Sequence, residues 1–162
     1  MKQKITTFLT FDGTAEEAVD LYTSVFPNSR VTSKRYYGAA GPGPKGSLMT
    51  ASFELEGQEF MALNGGPSFE FSQGISLFVD CETQDEVDHY WEKLSQGGEQ
   101  GPCGWLTDRF GVSWQIVPRV LGEYLSDEDP EKANRVMNAM LQMSKLEIEG
   151  LRRAYESEGA IA

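Results

Sequence analysis

The chain contains one strand–helix unit twice, and this repeat limits the folds available to it. Residues 5–11, ITTFLTF, have the β-branched and aromatic composition of a strand, and the helical pattern of AEEAVDLYTSV follows. The same succession returns in ISLFVD and QDEVDHYWEKLS. Moving the chain by 68 residues superposes five identities, which are Leu9/Leu77, Asp12/Asp80, Val19/Val87, Asp20/Asp88 and Tyr22/Tyr90. The repeat predicts two similar modules, each with a helix packed on its own sheet.

Helix-capping residues occur at matching places in the two copies. Thr14 with Glu17 fits a capping box before the first helix, and Thr83 with Glu86 fits one before the second. Each helix should therefore begin directly after its threonine.

Strand-like segments follow both helices. In the first copy they are RVTSKRYY, SLMTASFELEG and QEFMALN, and in the second CGWLTDRFG and VSWQIVP. A second offset, of 54 residues, relates Gly57/Gly111, Phe60/Trp114 and Leu63/Val117. The offset is shorter because the first copy has extra residues, with 38–47 as the candidate insertion. The sequence predicts an α+β fold of two tandem β-α-β-β-β modules, over about 4–67 and 73–119.

The tail differs in character from the repeat. We predict a domain over 1–125 and a helical extension over 126–162, packed on that domain or on a partner subunit. Asp129 and Pro130 suit a helix start, and 131–156 are rich in helix formers, which predicts one C-terminal helix. One side of it carries Val136, Met137, Met140, Leu141 and Ser144.

Composition and charge exclude several classes of partner. With 25 acidic and 14 basic side chains the net charge is −11, so nucleic acid and anionic membrane surfaces would repel the chain. No segment approaches the ~20 apolar residues of a membrane helix. The N-terminus lacks a signal-peptide pattern, and two distant cysteines favour a reducing compartment. We therefore expect a cytoplasmic protein.

The segment 41–46, GPGPKG, matches the letters of a dinucleotide-binding loop but not its context. Such a loop opens a helix and offers backbone N–H groups to phosphate. Here a strand-like segment follows, and Pro42 and Pro44 have no N–H to donate. We interpret 38–47 as a loop, with a lid over a ligand as the alternative.

Residue types used in metal and nucleophile sites are sparse. His89 is the single histidine and lies within the second helix, where a surface role is expected. Cys81 and Cys103 have no neighbouring base or positive group to activate a thiol. No nucleophile–base set can be assembled from these residues.

Three segments carry a family resemblance: FLTFDGTAEEAVDLYTSVFP, GWLTDRFGVSWQIVP and RVMNAMLQMSKLEIEGLRRAYE. Together they resemble the PhnB-like branch of the vicinal oxygen chelate (glyoxalase/bleomycin-resistance) superfamily, whose members often carry the label demethylubiquinone methyltransferase. The resemblance implies paired β-α-β-β-β modules with mixed sheets that curl around a cavity, usually in a homodimer.

Metal enzymes of this superfamily bind a divalent ion through His and Glu on inward-facing strand positions. The resemblance places these positions at Thr7, at Gly74 or Ser76, near Ala51 or Ser52, and at Gln115, which ends the D-x-x-G-x-x-x-E pattern. None of these is a usual ligand, and a neutral amide brings no charge to offset desolvation of the ion. We therefore expect no metal and no cofactor.

The interpretation is a metal-free protein that binds a small molecule, and the residues leave open whether it catalyses a reaction. Cavity candidates are Thr7, Leu9, Trp105, Ser113 and Gln115. Strand alternation places Ser113, Gln115 and Val117 on one face. Gln115 either hydrogen-bonds a ligand or pairs with a neighbouring strand group.

Two enzymatic alternatives remain beside this interpretation. The first is a metal-dependent enzyme acting on a small, vicinally oxygenated substrate, with Glu54 or a partner's carboxylate as unrecognised ligand. The second is a methyltransferase, which is least favoured because no donor-binding loop is present.

Overall fold

The structure is a computed structural model that describes residues 3–157. The described chain forms two compact units, divided between Phe71 and Ser72. The boundary expected at residue 125 stays a prediction, and residues 158–162 of the expected extension lie outside the described part.

The first unit is a four-stranded sheet with one helix. Its elements are β1 (Thr7–Phe11), α1 (Ala15–Val25), β2 (Ser29–Tyr36), β3 (Leu48–Leu55) and β4 (Gln58–Asn64). The strand order is β1-β4-β3-β2. β1 runs parallel to β4, and the other neighbours are antiparallel.

Alternation along the strands divides this sheet into two faces. On one face Phe53 and Phe60 stack with ring centroids 5.4 Å apart, and Tyr22 of α1 lies 6.4 Å from the ring of Phe53. All three side chains are buried. Burial of each large apolar side chain stabilises the fold by about 1.5–3 kcal/mol, so this face and α1 form the core of the unit.

The second unit repeats the plan. It contains β5 (Leu77–Cys81), α2 (Gln84–Ser95), β6 (Glu99–Gln100), β7 (Trp105–Thr107) and β8 (Ser113–Pro118), in the order β5-β8-β7-β6. β5 runs parallel to β8. The α+β class and the two β-α-β-β-β modules are confirmed. The strand β6 was not predicted, because its two residues lie between glycines and carry no strand pattern.

The strand registers correct the alignment of the repeat. Thr7 pairs with Phe60 in the first unit. Leu77 pairs with Trp114 in the second. Aligning the two buried aromatics makes Thr7 equivalent to Leu77, an offset of 70. The offset of 68 therefore holds for the two helices only. The superposition of Asp12 on Asp80, which lies in β5, was wrong.

The two helices begin differently. Thr83 Oγ1 accepts a hydrogen bond from Glu86 N at 3.2 Å, and Glu86 Oε2 accepts one from Glu82 N at 2.6 Å. The side chain of Thr14 makes no capping bond. Instead Asn64 Oδ1 accepts from Ala15 N at 2.9 Å. The capping threonine is confirmed for α2 and was wrong for α1, where a residue 49 positions away satisfies the helix.

The glycines of the 38–47 loop enclose an aromatic ring. A Cβ added at Gly41 would lie 2.5 Å from Tyr37 Cδ1, and one at Gly43 would meet the other edge of the same ring. Tyr37 is buried, and its hydroxyl donates to Asn64 O at 2.6 Å. The glycines therefore allow close packing, and the strand β3 follows them.

The single C-terminal helix was wrong. The described tail has α3 (Arg119–Leu125), α4 (Pro130–Met140) and α5 (Ile148–Glu156). Between α4 and α5 the chain leaves the helical conformation, and two of its carbonyls accept hydrogen bonds from the 101–104 turn. Met143 O accepts from Cys103 N at 2.8 Å, and Ser144 O accepts from Gly104 N at 2.7 Å. These carbonyls could not serve the 101–104 turn in a continuous helix, where they would accept from the next turn.

The predicted apolar stripe is divided by this break. Val136 is fully buried with Leu121, Leu146 and Leu151, and Met140 packs against them. Met137 and Leu141 are exposed. Among residues 3–157, no helix combines the length and the apolar character needed to cross a membrane.

We predict that Thr83→Ala lowers the free energy of unfolding by about 1 kcal/mol, because Glu86 N loses its acceptor at the helix start. Thr14→Ala is the matched control, since its hydroxyl caps nothing, and should cost a few tenths of a kcal/mol. Urea denaturation of both variants measures the difference. Equal losses would contradict the assigned caps.

Candidate functional site

A cavity of about 350 Å³ lies in the second unit. This volume is at the lower end of the range of small-molecule sites. Its walls come from β6, β7, the start of β8 and the loops beside them, and the lining residues are Gln73, Glu99, Gln100, Gly101, Pro102, Trp105, Leu106, Thr107 and Ser113.

Strand pairing places the key side chains on one face of the sheet. Trp105 pairs with Gln115, and Thr107 pairs with Ser113. Directly paired residues on antiparallel strands point to the same side. The opposite face carries the buried side chains that pack with α2, which are Leu106, Trp114 and Ile116. The cavity thus lies on the side of the sheet away from the helix.

Ser113 is the unusual group in this wall. The residue is 3% exposed, and its Oγ has no hydrogen-bond partner within residues 3–157. A buried hydroxyl without a partner costs about 1–3 kcal/mol, and such groups are rare in folded proteins. Ser113 lines the cavity and pairs with Thr107, so its side chain lies on the cavity side of the sheet.

Gln115 lies beside the cavity on the same face. Its Nε2 donates to Ser76 Oγ at 2.8 Å, just before β5. The amide nitrogen is therefore hydrogen-bonded within the protein. This agrees with the second role expected for Gln115, in which it pairs with a neighbouring strand group.

Thr7 and Leu9 belong to the first unit. Leu9 is buried and pairs with Ala62, and Thr7 pairs with Phe60, on the face that packs with α1. Of the five predicted site residues, the structure brings Trp105 and Ser113 together in the cavity wall and places Gln115 next to them. The ligand contacts of all five stay a prediction.

Several lining residues were not foreseen from the sequence. Glu99, Gln100, Gly101 and Pro102 lie in GGEQGPCGW, which has the composition of a loop. The pairing of Glu99 with Thr107 brings this segment to the cavity. A two-residue strand gives no periodic signal that could have revealed it.

Asp108 fixes the turn that delivers Ser113. It is 2% exposed. Its Oδ1 accepts from Phe110 N at 2.9 Å and Val112 N at 3.1 Å, and its Oδ2 accepts from Trp114 Nε1 at 2.9 Å. Hydrogen bonds to a carboxylate are stronger than neutral ones. The two residues flanking Ser113 are thereby held by one side chain.

We predict that Asp108→Ala lowers the free energy of unfolding by about 3 kcal/mol or more, because it strands three donors in the interior. Asp12→Ala, at an exposed position after β1, is the control and should stay within about 0.5 kcal/mol of wild type. Chemical denaturation provides the measurement. A loss below 1 kcal/mol for Asp108→Ala would refute this role.

The thiols and the histidine do not form a reactive site. Cys81 is fully buried, and this burial raises the pKa of its thiol to about 12. Cys103 Sγ contacts Met140 O at 3.6 Å. The ring of His89 makes an edge contact with Tyr90 on α2, with centroids 5.2 Å apart. The expected structural roles of both cysteines agree with these positions.

We predict that native Cys81 resists alkylation at pH 9. Because its pKa is raised to about 12, only about one thiol in a thousand is ionised there, and the thiolate is the reactive form. Mass spectrometry of a Cys103→Ser variant treated with iodoacetamide isolates this site. The urea-unfolded sample should be alkylated fully, and equal rates in both samples would contradict the assignment.

Comparison with known proteins agrees with this architecture. The fold and the comparisons together define a PhnB-like member of the vicinal oxygen chelate superfamily. The chain belongs to the family described as 3-demethylubiquinone-9 3-methyltransferase, whose model matches residues 3–117. The match ends before α3, so the helical tail lies outside it. None of the curated proteins compared with the chain matches it.

Three solved structures illustrate the similarity. The PhnB protein from Bacillus cereus is 43% identical, with a TM-score of 0.66, over 72% of this chain and 99% of that one. A protein from Pseudomonas aeruginosa is 23% identical, with a TM-score of 0.61, over 72% and 98%. The fosfomycin resistance protein FosX from Listeria monocytogenes, complexed with Mn(II) and sulfate, is 17% identical, with a TM-score of 0.50, over 70% and 89%.

The residues that the resemblance places at the metal positions do not fit a divalent ion. Thr7 lies on the α1 face, and Ser76 and Gln115 bind one another. In the part of the chain that the structure describes, no three His, Cys, Asp or Glu residues are grouped to hold a metal. The oxygens at these positions are uncharged, whereas divalent ions bind best where carboxylates compensate their charge.

Proposed function

We propose that this PhnB-like protein binds a small molecule in the cavity beside β7 and β8, and that it does so without the superfamily's metal ion. One observation carries the proposal: the Ser113 hydroxyl is buried and unpaired in the wall of a cavity of about 350 Å³. A ligand atom that bonds this hydroxyl would recover a hydrogen bond whose absence costs about 1–3 kcal/mol.

The chemistry of the wall supports binding. The indole of Trp105 offers apolar surface, and Gln73 and Thr107 add polar groups. Ligand sites combine an apolar lining with a few placed polar groups in this way. The turn held by Asp108 fixes the position of Ser113 before any ligand arrives, which reduces the entropy that binding would cost.

A metal-dependent enzyme acting on a vicinally oxygenated substrate is the second candidate. FosX is crystallised with Mn(II), but its 17% identity to this chain supports a common fold alone. Glu54, the carboxylate considered as an unrecognised ligand, forms an ion pair with Arg30 at 2.9 Å. The residue types at the metal positions make this candidate weaker than metal-free binding.

A methyltransferase, as the family's description names it, is the least favoured candidate. A methyl-donor site of the Rossmann type needs a glycine-rich turn between a strand and a helix. In the 38–47 loop, Gly41 and Gly43 enclose the Tyr37 ring, and β3 follows. These glycines allow close packing around the Tyr37 ring. The loop therefore does not provide a binding site for a methyl donor.

A homodimer in the cytoplasm completes the proposal. Two exposed apolar side chains, Met137 on α4 and Leu141 at its C-cap, provide surface for a second copy. Both cysteines are free thiols, as expected in a reducing compartment.

Native mass spectrometry of the purified protein tests the proposal. We expect a dimer that carries a small-molecule mass increment, unchanged by chelator. Thr107→Phe fills the cavity and should remove the increment, whereas Thr32→Phe, an exposed position on β2, should keep it. An increment of one transition ion per subunit that chelator removes would favour the metal enzyme instead.

A further inference from the structure

We infer that the cavity accepts a flat, uncharged or cationic molecule, which lies against Trp105 and hydrogen-bonds the Ser113 hydroxyl, and that it rejects anions. This inference rests on the proposed function and adds the chemical class of the ligand.

The charge of the cavity wall carries the first step. Glu99 is the charged residue of the lining, and the other polar side chains, Gln73, Gln100, Thr107 and Ser113, are neutral. The lining contains no Lys, Arg or His. A carboxylate or phosphate that enters must lose its hydration, which is costly unless a cation or several donors replace it. Here it would also meet a like charge on Glu99.

The Gln100 amide adds little for an anion. Gln100 pairs with Leu106 on the face covered by α2, and its Nε2 donates to Ser95 Oγ of that helix at 3.1 Å, so the amide lies on the side of the sheet away from the cavity. The net charge of −11 repels anions at longer range as well. Both facts favour a ligand without negative charge.

Ser113 supplies the directional contact. A serine hydroxyl can donate one hydrogen bond and accept others, so it pairs with a carbonyl, an amide or an amidinium group equally. The hydroxyl is buried, has no hydrogen-bond partner among the described residues, and lies on the cavity side of β8. A ligand must therefore carry a hydrogen-bonding group at the end that enters toward β8.

Trp105 supplies the flat surface, and the backbone around it is held in place. Gly101 N donates to Trp105 O at 2.8 Å, and Trp105 N donates to Pro102 O at 3.1 Å. A Cβ added at Gly101 would lie 3.1 Å from that same carbonyl, so the turn is closely packed. An indole fixed at a cavity wall favours stacking of a planar ring or cation.

Benzamide, benzamidine and benzoate test this inference, because the three have nearly the same shape and differ in charge. Each is titrated at millimolar concentration into ¹⁵N-labelled protein, and the Trp105 indole signal is followed after assignment with Trp105→Phe. We expect benzamide and benzamidine to shift this signal and benzoate to leave it unchanged.

Ser113→Ala separates the ligand contact from a structural role. It should weaken benzamide binding about 3- to 10-fold, because one hydrogen bond is lost. It should also raise the melting temperature by about 2–4 °C, because the variant removes an unsatisfied buried group. Ser33→Ala, at an exposed position on β2 of the first unit, is the control and should change neither quantity.

Four outcomes would overturn the inference. Benzoate binding at Trp105 with the affinity of benzamide would refute the preference for ligands without negative charge. Copurification of an anion in this cavity would refute it as well. Both outcomes would leave the proposed function intact. Unchanged binding with a lowered melting temperature in Ser113→Ala would refute the role of Ser113. Failure of all three probes would refute the flat-ring site, while native mass spectrometry reports separately on the proposed function.

Discussion

Parallel pairing between the first and last strands of each module is the constraint on which the rest depends. β1 pairs with β4, and β5 pairs with β8, each in parallel. Such pairing requires a long crossover, and each crossover contains the helix that covers one face of the sheet. In the second unit the opposite face carries Trp105, Thr107 and Ser113 beside the cavity, and Val117 near its end packs against the buried cluster of the tail. The position of the cavity therefore follows from the topology.

Within this plan one carboxylate fixes the cavity wall. Asp108 binds two backbone donors and the Trp114 indole, and Gly111 completes the turn with φ of 91°. The Asp and Gly of the family pattern D-x-x-G-x-x-x-E are Asp108 and Gly111 here, and they hold this turn. The last position has changed to Gln115, which binds Ser76 and brings no charge.

The tail shows how hydrogen bonding can override helix propensity. Residues 131–156 favour a helix throughout, yet Met143 and Ser144 leave it to accept bonds from the 101–104 turn. Ser144 Oγ also donates to Gly101 O at 2.6 Å. Part of the cavity wall is therefore supported by the tail, in a region that the family match does not include.

The sequence by itself determined the two modules, their helices and the cap at Thr83, because periodicity and capping are local properties. It also placed Ser113 and Gln115 on one face of a strand by alternation. Only the tertiary structure decided that Asn64 caps α1 in place of Thr14, that Glu99 reaches the cavity through a two-residue strand, and that the Ser113 hydroxyl has no partner. These features depend on contacts between residues distant in the chain, which leave no period or spacing in the sequence.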